Sequence, residues 1–217
     1  MKRSAWLASG LVLVLLGVAF AYGLFAPPQG PRSLRRFDAD RLADLEVGMW
    51  QAYYAKERVR LFGLLVTMLH EQYHYSWATA ARQAFYLARA AANFGDARGN
   101  YEVLVLPDLE LAYGTAKDWL SAGFDPAAMA RAELAWWIAR RVPGEDSPEH
   151  VGALMARAYA LLYESPESLM TSAATLRAKA AKLRDLQERQ PDWSTIREML
   201  RRSYGDLHNA VSLGSGS

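Results

Sequence analysis

The chain contains no cysteine, which excludes thiol catalysis, disulfides and thiolate metal sites. Only four histidines are available for metal or proton chemistry. No G-x-S-x-G, Walker A or G-x-G-x-x-G run occurs, so the common hydrolase, phosphate-loop and dinucleotide templates are missing. Proline is absent between Arg32 and Leu106, a long stretch free of the strongest helix breaker. Neither sign of charge is in excess. The net charge is +2 and 22% of residues are charged, which argues against bulk polyanion binding and against disorder. No nucleic-acid partner is expected.

What the chain does have is apolar and aromatic material: 52% hydrophobic residues, with 7 Trp and 11 Tyr, enough for a single well-packed domain. Lys2 and Arg3 precede an uncharged run from Ser4 to Ala26, long enough as a helix to cross a hydrocarbon layer of ~30 Å. Residues 4–26 are therefore read as a single transmembrane anchor. The rival reading is a secretory signal removed after Ala19-Phe20-Ala21, which would take away residues 1–21. A short tail ahead of the first apolar helix places the bulk of the chain on the extracytoplasmic side, periplasmic or extracellular. Residues 27–37 form a stiff Pro/Arg-rich linker, residues 38–211 an all-α domain, and residues 212–217 a flexible Gly/Ser linker outside the fold.

Within the domain, Asp38 to Trp77 reads as one long helix, with Asp38 as N-cap and Leu42, Leu45, Met49 and Tyr53 recurring at helical spacing. Tyr101 to Leu106 is the one strand-like run, read as a buried connector or as a helix start broken at Pro107. Asp125-Pro126, Ser147-Pro148 and Ser165-Pro166 each place a capping side chain before a proline, predicting helices over 126–141, 148–163 and 166–189. A last helix follows Pro191-Asp192. The sum is an irregular all-α bundle or array of about seven helices.

The chemistry concentrates in His70-Glu71-Gln72-Tyr73-His74. On a helix, two histidines four apart share a face and can hold one Zn²⁺, while the intervening glutamate can deprotonate a metal-bound water. Thr67 to Ser76 in this respect resembles the zincin metallopeptidases. The resemblance implies His70 and His74 as zinc ligands and Glu71 as general base, with a third ligand left open among Glu102, Glu110, Glu133 and His150. Glu71-x-x-His74 also matches half of a di-iron bundle motif, but no second E-x-x-H accompanies it.

A second cluster, Glu133-Leu134-Ala135-Trp136-Trp137-Ile138-Ala139-Arg140-Arg141, carries the residue types that dominate interfaces. Trp136, Trp137, Arg140 and Arg141 are the candidate partner-binding residues; core packing with a salt bridge from Glu133 to Arg140 or another helix is the competing reading. The arginines and lysines of the C-terminal helices alternate with acids and read as a solvated face. The functional expectation is a membrane-anchored, partner-binding or accessory subunit of a membrane complex, touching lipid through its first helix and a protein through its domain. The alternative is a membrane-anchored zinc metallopeptidase; otherwise no cofactor is expected.

Overall fold

A computed structural model describes residues 2–26 and 28–213, with side chains described from residue 13 to residue 212. Among these residues the secondary structure is entirely helical: α1 (Lys2–Phe25), α2 (Ala39–Tyr54), α3 (Arg58–Tyr73), α4 (Trp77–Asp96), α5 (Tyr101–Leu120), α6 (Pro126–Ala139), α7 (Pro148–Tyr163), α8 (Glu167–Leu186) and α9 (Trp193–Leu213). The all-α class stands. The flexible C-terminal stretch expected from 212 instead begins as helix, since α9 runs to Leu213; residues 214–217 lie outside the described residues.

The long helix expected over 38–77 is three helices. Asp38 does cap α2, its carboxylate accepting from the Arg41 N–H at 3.0 Å. The first break lies at Ala55, Lys56 and Glu57, where Lys56 takes a left-handed φ of 58°. The Lys56 N–H donates to Tyr53 O at 3.1 Å and the Glu57 N–H to Ala52 O at 2.8 Å, the paired bonds of a Schellman ending. Because a lysine stands where glycine is usual, nothing in the residue types announces the stop. The second break is His74 itself, left-handed at φ 54°, after which Ser76 caps α4 by accepting from the Thr79 N–H at 3.2 Å.

The Asp125 and Ser147 caps form as their sequences predict, accepting from the N–H groups of Ala127, Ala128 and His150. The Ser165 cap does not. Its hydroxyl donates to Tyr163 O at 3.0 Å, and α8 starts at Glu167 without a side-chain cap. The strand-like run 101–106 is the first turn and a half of α5, which continues through Pro107. Leu109 and Val105, fully buried against Ala90, Phe94, Ala130 and Leu134, hold the helix together across the proline.

Helices α2 to α9 form a closed ring. Each packs on its neighbour in sequence, and the series closes where α2 packs on α9, so the expected bundle or array of about seven helices is a closed series of eight. The closing seam is ionic at its surface: Asp40 and Asp44, one turn apart on α2, meet Arg201 and Arg197, one turn apart on α9. The basic C-terminal residues are therefore partly a paired interface, though exposed pairs of this kind stabilise by only about 0–1 kcal/mol each. Between α7 and α8 the backbones approach closely at Gly152, where an added Cβ would come within 2.9 Å of the Thr175 Cα.

Short connections between antiparallel neighbours alternate between the two ends of the ring. One end carries the α2–α3, α4–α5, α6–α7 and α8–α9 turns, the other the C-termini of α3, α5, α7 and α9. The linker is strapped over this second end. The Arg35 guanidinium donates to Val211 O at 2.9 Å and to Tyr163 O, satisfying carbonyls that the ends of α9 and α7 leave free. Arg32 lies over the Trp119 ring at 4.1 Å. Gly30, at φ 142°, presses against the His74 imidazole so closely that a Cβ there would overlap the ring.

Helix α1 packs on α4, and most of its described side chains, from residue 13 onward, are exposed. Leu13, Val14, Leu15, Leu16, Val18 and Phe20, which point in all directions around the helix, are 58–70% exposed. Among the described residues no helix is long and apolar enough to cross a membrane. The anchor expected over 4–26 falls in part on residues 4–12, whose side chains lie outside those described.

Candidate functional site

The histidine pair does not form the site that its spacing suggests. Helix α3 ends at Tyr73, so His74 leaves the helix and loses the one-turn register with His70 on which a shared ion depends. The His70 Nδ1 bonds to Tyr75 O at 2.8 Å while its ring stacks on Trp77 at 3.7 Å. Glu71 points outward into a two-pronged ion pair with Arg41, at 2.9 and 3.2 Å. Of the expected third ligands, Glu102 and His150 are exposed, Glu110 is half-buried on α5, and Glu133 belongs to a separate polar cluster. Among the described residues no group of three His, Cys, Asp or Glu side chains could hold a metal ion. An excess of zinc is accordingly expected to leave the melting temperature of the full chain unchanged. A rise of several degrees that disappears in His74→Ala would restore the zinc reading, because an ion that binds only the folded state raises stability by mass action.

The feature that all eight ring helices build together is internal. The ring surrounds a cavity of about 1110 Å³ that opens to the surface, and every helix from α2 to α9 contributes side chains to it. Most of its wall is apolar, from Leu42, Met49, Leu65, Met68, Leu69 and Leu207 among others. Such lining follows from the sequence: helices that are apolar beyond a single stripe must have a second covered face.

Into this wall is set a polar cluster. Glu46, on the buried stripe of α2, accepts from the Arg177 Nε at 2.8 Å and from the Tyr204 hydroxyl, so one carboxylate ties α2 to both α8 and α9. Its side chain is 3% exposed and that of Arg177 15%. Burial works against the Arg177 charge, but Glu46 together with the Tyr159 and Tyr204 phenols more than offsets it and holds the guanidinium well above its ordinary pKa. On the α6 side, Glu133 accepts from the Trp136 and Trp137 indoles, each at 3.0 Å. Burial pushes the Glu133 carboxyl up, while Arg177 and the indole bonds pull it down. Tyrosines fill the space between: burial pushes Tyr159 up to about 12, and raises Tyr113 and Tyr163 well above the usual phenol range.

Trp136, Trp137, Arg140 and Arg141, expected as a partner patch, all contribute to the cavity wall. The bridge expected between Glu133 and Arg140 does not form; Arg140 pairs with Asp185 at 2.8 Å and also donates to the Tyr54 hydroxyl at 3.0 Å. Glu46, Arg177 and Tyr204, separated by up to 158 positions, are the site residues that sequence reasoning misses. One signal was available for the first: Leu42, Glu46, Met49 and Tyr53 share the apolar stripe of α2, and a glutamate there needs a buried cation.

Chemically the arrangement offers containment. Each carboxylate of the polar cluster, Glu46 and Glu133, is bonded to donors of the same protein. Comparison with family models, with curated proteins and with solved structures gives no match.

Proposed function

We propose that this chain is a non-enzymatic accessory protein held at the extracytoplasmic face of a membrane by α1, and that its helical ring holds an apolar small molecule in its interior. One observation carries the reading: a cavity of about 1110 Å³ lined by all eight ring helices. Ligand pockets are mostly apolar clefts of roughly 300–1,000 Å³ with a few fixed polar groups, and this interior has that character at a size just above that range. Protein interiors otherwise close to crystal-like density, so a space of this size between eight packed helices is a built feature of the fold. The largely exposed apolar side chains of residues 13–25 on α1 support attachment to lipid, since residues such as Phe20 and Leu13 would otherwise face water. A role as a subunit of a larger assembly is then the presentation of the held molecule to a protein partner.

Solvent extraction of the full chain, purified from its own membrane, tests this by mass spectrometry. The expected extract is enriched in one class of amphiphile relative to the bulk lipid of that membrane. An extract with bulk composition, from protein that also takes up no added apolar probe, would remove the reading.

A further inference from the structure

The cavity has one closed end and one open one, and the open end is cationic. Leu34 of the strap lines the cavity at the end where Arg35 fastens the linker to α7 and α9. At the opposite end the lining includes exposed residues on the turns of the ring, among them Lys56, Arg58, Asp96, Arg141 and Glu188, so the cavity reaches the surface there.

Three guanidiniums crowd this mouth. Arg140, at the end of α6, and Arg184, in the last turn of α8, converge on the single carboxylate of Asp185, at 2.8 and 3.3 Å. Arg184 also lies over the Tyr54 ring at 3.0 Å. Arg141 spends its N–H groups on the carbonyls of Phe94 and Ala97 and lies over the Phe94 ring, with no carboxylate bonded to it among the described residues. Arg58 is neutralised by Asp96 and Asp146 by Lys182, leaving Asp185 and Glu188 as the acids against Arg140, Arg141, Arg184 and Lys56. The decisive detail is that the Nε atoms of both Arg140 and Arg184 are buried and have no acceptor among the described residues, and Arg184 is only 9% exposed. A buried guanidinium N–H without an acceptor is costly, and an anionic oxygen is the acceptor it binds most strongly.

We propose that the ligand is a single-headed anionic amphiphile, whose carboxylate or phosphate is taken by Arg140 and Arg184 at the mouth while its apolar chain runs inward past Met49, Leu65 and Leu69. This rests on the reading of the cavity as a ligand site and adds the charge and orientation of the ligand. Tyr54 orients the head: its hydroxyl bridges Asp185 and Arg140 and its ring supports Arg184, so the two cations are held side by side before anything binds.

The test compares two probes of equal chain length, palmitate and hexadecanol, radiolabelled and offered to the full chain in lipid discs, with empty discs as the blank and gel filtration to read retention. Palmitate is expected to be retained roughly ten- to hundredfold more tightly than hexadecanol, the range of one or two charge-assisted hydrogen bonds. Arg184→Gln and Arg140→Gln, made separately, are expected to erase that preference, with far-ultraviolet circular dichroism and the melting temperature of each variant reporting that the ring has folded. Equal retention of the two probes, or a preference that survives both substitutions, would overturn the anionic assignment and leave the cavity reading intact. Retention of neither probe above empty discs would instead remove the cavity reading, and with it this one.

Discussion

Arg177→Met is expected to lower the stability of the ring by about 3–5 kcal/mol, the loss typical when one member of a buried ion pair is removed and the other is left behind. The size follows from geometry. Glu46 is almost completely enclosed and has two partners, Arg177 and Tyr204; the tyrosine alone cannot balance a full negative charge in an apolar wall. Arg177 also lies over the Trp136 ring at 5.0 Å, so its loss loosens the indole side of the cluster as well. Because Glu46 sits on α2 and its partners on α8 and α9, the damage falls on the seam that closes the circle. Urea unfolding measures it, and the double variant Glu46→Gln with Arg177→Met should recover much of the loss, since a neutral amide has no charge to orphan. A single variant within about 0.5 kcal/mol of the parent, the scale of an ordinary surface change, would mean that the pair does not close the ring.

Leu109→Ala is expected to cost about 2–5 kcal/mol, the range for a fully buried leucine whose cavity cannot collapse. Leu109 has no exposure, and two of its neighbours, Ala90 and Ala130, are small side chains on rigid helices that cannot reach into the space it would leave. It also sits two residues beyond Pro107, where the α5 ladder lacks one N–H and depends on packing for continuity. Leu111→Ala, on the same helix but 48% exposed, should stay within about 0.5 kcal/mol and serves as the matched control. Thermal or urea unfolding of the pair checks both numbers.

The helical class was legible because apolar spacing, caps and proline positions agree over most of the chain. Asp125-Pro126 and Ser147-Pro148 mark the starts of α6 and α7 from local chemistry alone, and the structure keeps both. The breaks after α2 and α3 were not legible, since Lys56 and His74 adopt left-handed backbone where glycine would have signalled the stop. That second break decided the fate of the His-Glu-x-x-His spacing: a motif defined on a helix loses its meaning one residue past the helix end. Tyr101 to Leu106 begins a helix, one of the two readings its sequence allowed, but the break expected at Pro107 does not occur. Its tyrosine and valines favour a strand in isolation, and the packing of Val105 and Leu109 overrides that preference.

The candidate site was hidden differently. Trp136, Trp137, Arg140 and Arg141, read from the sequence as a candidate partner patch, line the cavity wall, and residue type alone does not say whether a helix face turns outward or toward a shared interior. Ring closure supplies that information, and it depends on α2 meeting α9, elements with the whole domain between them. The cluster of Glu46, Arg177 and Tyr204 exists only once that contact forms.

The central claim is that the circle of helices encloses a binding site. Titration of the full chain in lipid discs with the fluorescent apolar probe 1-aminoanthracene, corrected by empty discs, tests it most directly when repeated on Ala88→Trp, which places an indole in the cavity wall where α4 contributes a methyl group. The account predicts a single saturable site in the parent chain and its loss in the filled variant. A titration that never saturates, or one that is the same in both proteins, would contradict it.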